Sequence, residues 1–368
     1  MVHQVSEVSS LRFLRVSSSP RLRGLRYHPG VSQLLIIVNN VADKARRAWP
    51  IVRRQLESNS IAFEAYQTAH AGDATQRTRT ALREGYSTLA VVGGDGTLSE
   101  AAAGFFESSD ENPNAIPSPI NPAAALAILP SGTGDDFARG LIGRRAPLSV
   151  WIETLIAHCR ANEETTTRVI DVMTAACDNY ATHFICLNAS TMGIGGETGA
   201  RVAAQGSLMR RLSGEVRFTA AAIGALAAWR ERRVRVTMDD DTVIEGPMNL
   251  VAVANGLYAG GGMMLSPRAR LDDGKLDVVT ASGLNRLQVM RELPRIHHGG
   301  HVANAKVRIV QGSHVRIETF TSQDALLIEA DGNVRGRTPV EFRIMPRALR
   351  FVVNASKIFG ENAETQSR

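Results

Sequence analysis

Apolar residues in the first half of the chain come in short unbroken runs, separated by longer stretches of helical period. Leu34-Leu35-Ile36-Ile37-Val38, Thr88–Val92 and Ala125–Leu129 are apolar at nearly every position and too short for helices. Such runs read as strands buried on both faces, the mark of a parallel sheet. A further strand is expected near Ile61–Gln67. Between the strands the spacing predicts helices over Asp43–Ser58, Ala74–Glu84, Leu98–Phe106, Asp135–Leu141 and Pro147–Ala161. Strand and helix alternating at this interval make an α/β domain over residues 31–165. Ser108–Pro122 is polar, carries four prolines and reads as an inserted loop.

Beyond Thr165 the pattern changes. Strand-like segments succeed one another at Arg168–Met173, Thr182–Ala189, Val234–Asp239, Asn249–Ala254, Leu276–Ala281, Lys306–Val310, His314–Thr319, Leu326–Ala330 and Glu341–Met345. One helix, Leu208–Arg232, is expected to interrupt them. Turn residues separate most of the strands, which indicates an antiparallel β-sandwich or barrel-like domain over 166–345.

Composition narrows the partners. The 368 residues suit two domains, and 44% hydrophobic content supplies a core. A net charge of +6 favours anionic ligands such as ATP or lipid headgroups. Aromatics are only 5% and no nucleic-acid module is present, which argues against a nucleic-acid partner. Residues 1–30 carry Arg12, Arg15, Arg21, Arg23 and Arg26 against Glu7 and read as a disordered basic tail. Cys159, Cys177 and Cys186 form no C-x-x-C pair, as expected in a reducing cytoplasm. No apolar run approaches the ~20 residues of a membrane span, so a lipid would be met from the water side.

Two segments carry chemistry. In Val91-Val92-Gly93-Gly94-Asp95-Gly96-Thr97-Leu98-Ser99-Glu100 a buried strand stops at glycines and restarts as a helix. Gly93, Gly94 and Gly96 let the backbone approach a phosphate, and the helix start at Thr97 offers free N–H groups. Asp95 is placed to meet a phosphate-bound Mg²⁺. Glu100 sits in the first helical turn, where an acid also suits the dipole. Ile128-Leu129-Pro130-Ser131-Gly132-Thr133-Gly134-Asp135-Asp136 repeats this logic, with Gly132 turning the chain and Thr133 donating to a phosphate oxygen. Asp135 and Asp136 read as helix caps or Mg²⁺ neighbours. Neither segment is a Walker loop, because no G-K-[ST] follows, and the protein-kinase set is absent.

These two segments, in this order, resemble the diacylglycerol-kinase catalytic family, which includes sphingosine and ceramide kinases and bacterial lipid kinases. The resemblance runs over most of residues 34–354. It includes Tyr66–Ala74 with Thr68 at a nucleotide position, Phe184–Glu197, Val253–Gly256 with Gly260–Met263, and Ala269–Asp277. It implies a Rossmann-like nucleotide-binding domain followed by the β-rich domain, ATP in the cleft and a lipid hydroxyl as acceptor. The acceptor would be diacylglycerol or a related lipid such as ceramide or a sphingoid base. The enzyme would sit in the cytoplasm, peripherally associated with a membrane; a homodimer is left open. The C-terminal segment, within 346–368, would return to the first domain. A structural Mg²⁺ would be held by Asp273 and the carbonyls of Arg270 and Lys275.

The chain departs from the family in two places. The first loop reads Asn39-Asn40-Val41-Ala42-Asp43-Lys44, so Asn39 and Lys44 stand without the usual Ser-Gly turn. Near the C-terminus the family's D-G-E, whose Glu accepts the hydroxyl proton, reads Asp331-Gly332-Asn333. Asn333 cannot act as a base, which leaves Asp331 as the expected acid/base residue. Two alternatives follow: a catalytically impaired nucleotide- or lipid-binding homologue, and an NAD-kinase-like enzyme, which shares the Gly-Gly-Asp-Gly-Thr segment.

Overall fold

Three of the short apolar runs become strands that expose almost nothing. Leu34–Val38 (β1) and Thr88–Gly93 (β3) are buried at every position, and Ala125–Pro130 (β6) at all but the last. The computed structural model describes residues 34–107, 115–161, 166–178, 180–206, 209, 214–239 and 242–353. The basic segment 1–30 lies outside them. With Glu64–Gln67 (β2), the strands form a parallel sheet in the order β2-β1-β3-β6. The helices Asp43–Ser58 (α1), Asp73–Arg83 (α2), Asp95–Ala103 (α3), Asp136–Ile142 (α4) and Leu148–Arg160 (α5) follow the strands. In α1, Ala45, Ala48, Val52 and Leu56 form the buried stripe, at the spacing of one helical face. The inserted loop is closed at its base by Phe106–Glu107 (β4) pairing with Ser118–Pro119 (β5); its residues 108–114 lie outside the described set.

The second half is β-rich. Its strands are Thr167–Cys177 (β7), Thr182–Cys186 (β8), Ala189–Gly193 (β9), Arg232–Met238 (β10), Thr242–Ala254 (β11), Tyr258–Ala259 (β12), Met263–Met264 (β13), Leu276–Ser282 (β14), Val307–Gly312 (β15), His314–Thr319 (β16), Leu327–Ala330 (β17), Asn333–Arg337 (β18) and Val340–Val352 (β19). Every pairing among them is antiparallel, through the path β18-β17-β9-β11-β10-β16-β19, with β14 and β15 added beside β11 and β7 and β8 beside β19. Their inward residues, among them Met192, Val234, Val253, Ile317 and Phe342, form a core of their own.

One strand serves both halves. β19 pairs with β16 at its start and with β7 along its length. A register shift falls between Met345 and Leu349, where Arg347 has φ +50°. Beyond it, Arg350 and Phe351 pair in parallel with Ala125 and Leu126 of β6. Phe351 then packs on Phe137 of α4, ring centroids 4.8 Å apart.

The sequence pattern needs two corrections here. The single helix expected over Leu208–Arg232 is Gly214–Ala228 (α7), and two further helices accompany it among the described residues, Ile194–Ala203 (α6) and Arg286–Ile296 (α8). The α6 segment is glycine-rich because the helix lies directly on β17: a Cβ on Gly196 would come within 2.2 Å of the Leu327 carbonyl oxygen. The strand expected over Thr182–Ala189 is two strands, β8 and β9. They are broken at Leu187 and Asn188, whose backbone N–H groups turn toward Asp331.

Candidate active site

The two glycine loops meet because neither has a side chain at the contact. β3 and β6 are neighbours, so the loops that leave their C-terminal ends lie side by side. A Cβ on Gly94 would sit 2.9 Å from the Cα of Gly132, and one on Gly132 would sit 2.7 Å from the Cα of Gly94. Ser131 N–H donates to the Gly93 carbonyl (2.9 Å) and ties the loops together.

Asn39 joins this platform from the loop after β1. Its side-chain N–H donates to Thr97 Oγ1 (2.7 Å), and its oxygen accepts from Val41 and Ala42 N–H (both 3.1 Å). That Asx turn holds the loop without the Ser-Gly sequence. Lys44 Nζ donates to the Gly132 carbonyl (3.0 Å) from an exposed position. Thr68 is buried at the end of β2, its N–H on the Val38 carbonyl (2.9 Å). Thr133 is exposed at the tip of the second loop. Glu100 points elsewhere: its carboxylate accepts from Gly72 N–H (3.0 Å) at the start of α2.

The carboxylates bind the halves together. Asp95 accepts from Asp136 N–H (3.0 Å) and Phe137 N–H (2.9 Å), capping α4, and meets Asn188 Nδ2 at 3.5 Å. Asp136 accepts from Gly261 N–H (2.8 Å). Arg139 of α4 stacks over the Tyr258 ring at 4.1 Å. Burial pushes both carboxyls up, and the neighbouring acids push them further; backbone N–H groups act in the opposite sense.

Asp331 lies at the turn of the β17–β18 hairpin with φ +46°. One carboxylate oxygen accepts from Leu187 N–H (2.7 Å) and the other from Asn188 N–H (3.0 Å). Asn333 follows two residues later, beside the first glycine loop: a Cβ on Gly96 would be 3.4 Å from its Nδ2. Glu329, which the sequence offers as a second nearby acid behind the favoured Asp331, accepts from Gly332 N–H (2.6 Å) and the Thr191 hydroxyl (2.8 Å). Burial raises its carboxyl to about 7, against the lowering effect of those two bonds.

These groups form one end of a cavity of about 830 Å³. Asp95, Gly96, Thr133, Asp331 and Asn333 line that end. Val202, Phe218, Leu250, Leu265, Leu293 and Ile296, from α6, α7, β11, α8 and the loop after β13, line most of the rest, with Arg217, Glu292 and His301 among them. The arrangement can hold a polyphosphate at the loops and an apolar body behind them.

Asp273, Arg270 and Lys275 lie apart from this cavity, in the turn before β14. Asp273 accepts from Lys275 N–H (3.1 Å), whereas Asp272 is paired with Arg168 (2.8 Å). Among the described residues no cluster of three His, Cys, Asp or Glu side chains is arranged for a metal.

Comparison with known proteins matches both halves of the chain. Residues 33–175 match the diacylglycerol kinase catalytic domain, and residues 192–353 match the YegS C-terminal NAD kinase beta sandwich-like domain. A Xanthomonas campestris protein described as "Probable lipid kinase YegS-like" is 30% identical over 80% of this chain and 87% of its own. A diacylglycerol kinase of Staphylococcus saprophyticus is 27% identical over 83% of this chain and 90% of its own. A crystal structure of a diacylglycerol kinase from Bacillus anthracis shares the fold, with a TM-score of 0.61 and 19% identity over 89% of this chain and 98% of that one.

Proposed function

Since the chain belongs to the family of YegS-like lipid kinases and diacylglycerol kinases, we propose that it transfers the γ-phosphate of ATP to the hydroxyl of diacylglycerol or a related long-chain lipid. The observation that carries this reading is the cavity itself. Its polar end lies at the glycine loops, and its remaining wall is predominantly apolar, with Arg217, Glu292, His297 and His301 among the side chains there. An acceptor with a hydroxyl head and a hydrocarbon body fits that division; the nicotinamide dinucleotide of an NAD kinase, polar throughout, does not.

On this reading Asn39, Lys44, Thr68, Gly93, Gly94, Gly96, Thr97, Gly132 and Thr133 form the nucleotide side. The N–H groups at the start of α3 and the Lys44 charge meet the phosphates. Glu100 acts through α2, by fixing the Gly72 turn beside Asp73. Asp331 orients the Leu187–Asn188 break and so the acceptor end of the cavity. Asp95 and Asp136 would meet a Mg²⁺ that arrives with ATP, which would supply charge neutralisation on the phosphates. The Asp273 turn, with the carbonyls of Arg270 and Lys275, offers oxygen donors alone and would suit a second, structural Mg²⁺.

No helix among the described residues is long and apolar enough to cross a membrane. Access to lipid would come from the surface, on the cytoplasmic side: Val216 and Ile223 of α7 and Leu287 and Met290 of α8 are exposed next to the residues that line the cavity. The test is transfer of γ-³²P from ATP, with Mg²⁺, to mixed micelles of diacylglycerol, monoacylglycerol, ceramide or sphingosine, with NAD⁺ as a lipid-free acceptor. Label in a lipid and none in NAD⁺ is expected. Label in NAD⁺ alone would overturn the reading.

A further inference from the structure

We propose that Glu329 is the proton acceptor of phosphoryl transfer in this chain, replacing the carboxylate that is missing at Asn333. The proposal rests on the lipid-kinase reading above and identifies a residue of that same site.

A hydroxyl that attacks phosphorus must lose its proton, and the group that takes it must touch the hydroxyl. Four acids stand at the polar end of the cavity. Asp95 and Asp331 each use both carboxylate oxygens on two backbone N–H groups. Asp136 uses one oxygen on Gly261 N–H, and its other oxygen is buried and exposes almost no surface. Glu329 is the fourth. It lines the cavity, and its two bonds come from inside its own corner of the sheet, Gly332 N–H and the Thr191 hydroxyl. The Thr191 hydroxyl, unlike a backbone N–H, can rotate away and leave its carboxylate oxygen to an incoming donor.

The hairpin explains why a residue four positions upstream can serve. β17 and β18 turn tightly at Asp331-Gly332, so Ala330 pairs with Asn333 and Glu329 with Val334. The register shifts between Ile328 and Glu329. The Glu329 carboxylate therefore reaches over the turn to Gly332 N–H, next to Asn333, which itself lies beside Gly96 of the phosphate loop. Asn333 and Glu329 both line the cavity, one from each strand of the hairpin.

The charge around Glu329 suits the task. Burial raises its carboxyl to about 7; the Thr191 and Gly332 bonds lower it, the Asp331 charge raises it and the Arg335 charge lowers it. The Cys186 thiol behind it is buried, with its own ionisation suppressed. Near neutral pH Glu329 is thus divided between its two forms and able to take and release a proton. In the step, the acceptor oxygen forms its bond to the γ-phosphorus as the bond from that phosphorus to the β-bridging oxygen breaks. ADP leaves with that electron pair. The hydroxyl proton passes to Glu329 and then to water.

The experiment compares wild type, Glu329→Gln, Asn333→Glu and the double variant, reading kcat, KM for ATP and lipid, the pH profile and the thermal midpoint. Glu329→Gln is expected to lower kcat about 10²–10³-fold with KM for ATP and the midpoint little changed. Wild-type log kcat should rise with pH and level off near 7, as the base loses its proton. In the Glu329→Gln background, Asn333→Glu should restore at least about tenfold of the lost rate. It should also move the break toward the ordinary glutamate range. Undiminished kcat in Glu329→Gln overturns the proposal, and so does a loss that tracks KM or the midpoint without rescue. Slow ATP hydrolysis by water in the same preparations reads the same base. If the wild type labels no lipid, the acceptor reading fails, yet hydrolysis lowered by Glu329→Gln still supports Glu329, and unchanged hydrolysis overturns it.

Discussion

Asp331 shows how little a residue's type says about its use. From the sequence it is the acid of a degraded D-G-E, and acid/base work is the natural expectation. In the fold its two oxygens satisfy the N–H groups of Leu187 and Asn188, and its left-handed backbone turns the hairpin. Asp331→Ala leaves both buried donors unpaired, which costs about 1–3 kcal/mol for each. The expected result is an unfolding free energy in urea lowered by that amount, with Asp331→Asn intermediate because its amide keeps one acceptor. Glu329 was harder to single out. Period-2 alternation puts it on the face of Asp331 only in a regular strand, and the register shift at Ile328/Glu329 breaks that rule. Asn333 was legible at once, because an amide cannot hold a proton as a base.

At the level of elements, the glycine loops are the most demanding feature. Gly94 and Gly132 approach until backbone meets backbone, so a methyl on either forces the loops apart. Gly132→Ala is expected to weaken ATP binding at least about tenfold, measured by calorimetry, since a near-attack geometry tolerates little displacement. Ser131→Ala, which keeps the backbone bond to Gly93, is expected to bind almost as wild type. The parallel strands were readable nearly to the residue, because burial on both faces leaves unbroken apolar runs. The helices α6 and α8 were not. In α6 glycines serve close packing on β17 and read locally as a turn. In α8 no residue is fully buried and Pro294 interrupts the pattern, although Asn285 and Gln288 form a capping box that marks its start.

At the level of the whole molecule, β19 decides how the two halves hold together. It pairs with β16 near its start and with β7 out to Val352, and from Arg350 it also pairs in parallel with β6. Phe351 is fully buried against Phe137. Phe351→Ala removes a buried ring and should cost about 3–5 kcal/mol. Because the strand is shared, the loss is expected in both halves. Trp151 in α5 and Trp229 after α7, each read in a variant lacking the other tryptophans, should report one common urea transition, shifted equally. Two separated transitions would show that the halves unfold independently.

The sequence by itself determined the parallel strands and most helices of the first half, the two glycine loops, the order of the α/β and β-rich halves and the family. These follow from local signals: runs of apolar residues, glycines at strand ends, turns at fixed spacing. Only the tertiary structure decided which acids come together at the cavity, which acids cap backbone, and where one strand joins the parallel and antiparallel parts of the sheet. Those outcomes depend on partners far apart in the chain, such as Leu187 and Asp331, 144 positions apart. A carboxylate's chemistry is set by the donors and the burial that meet it. No local pattern of residues carries that information until the chain has closed around it.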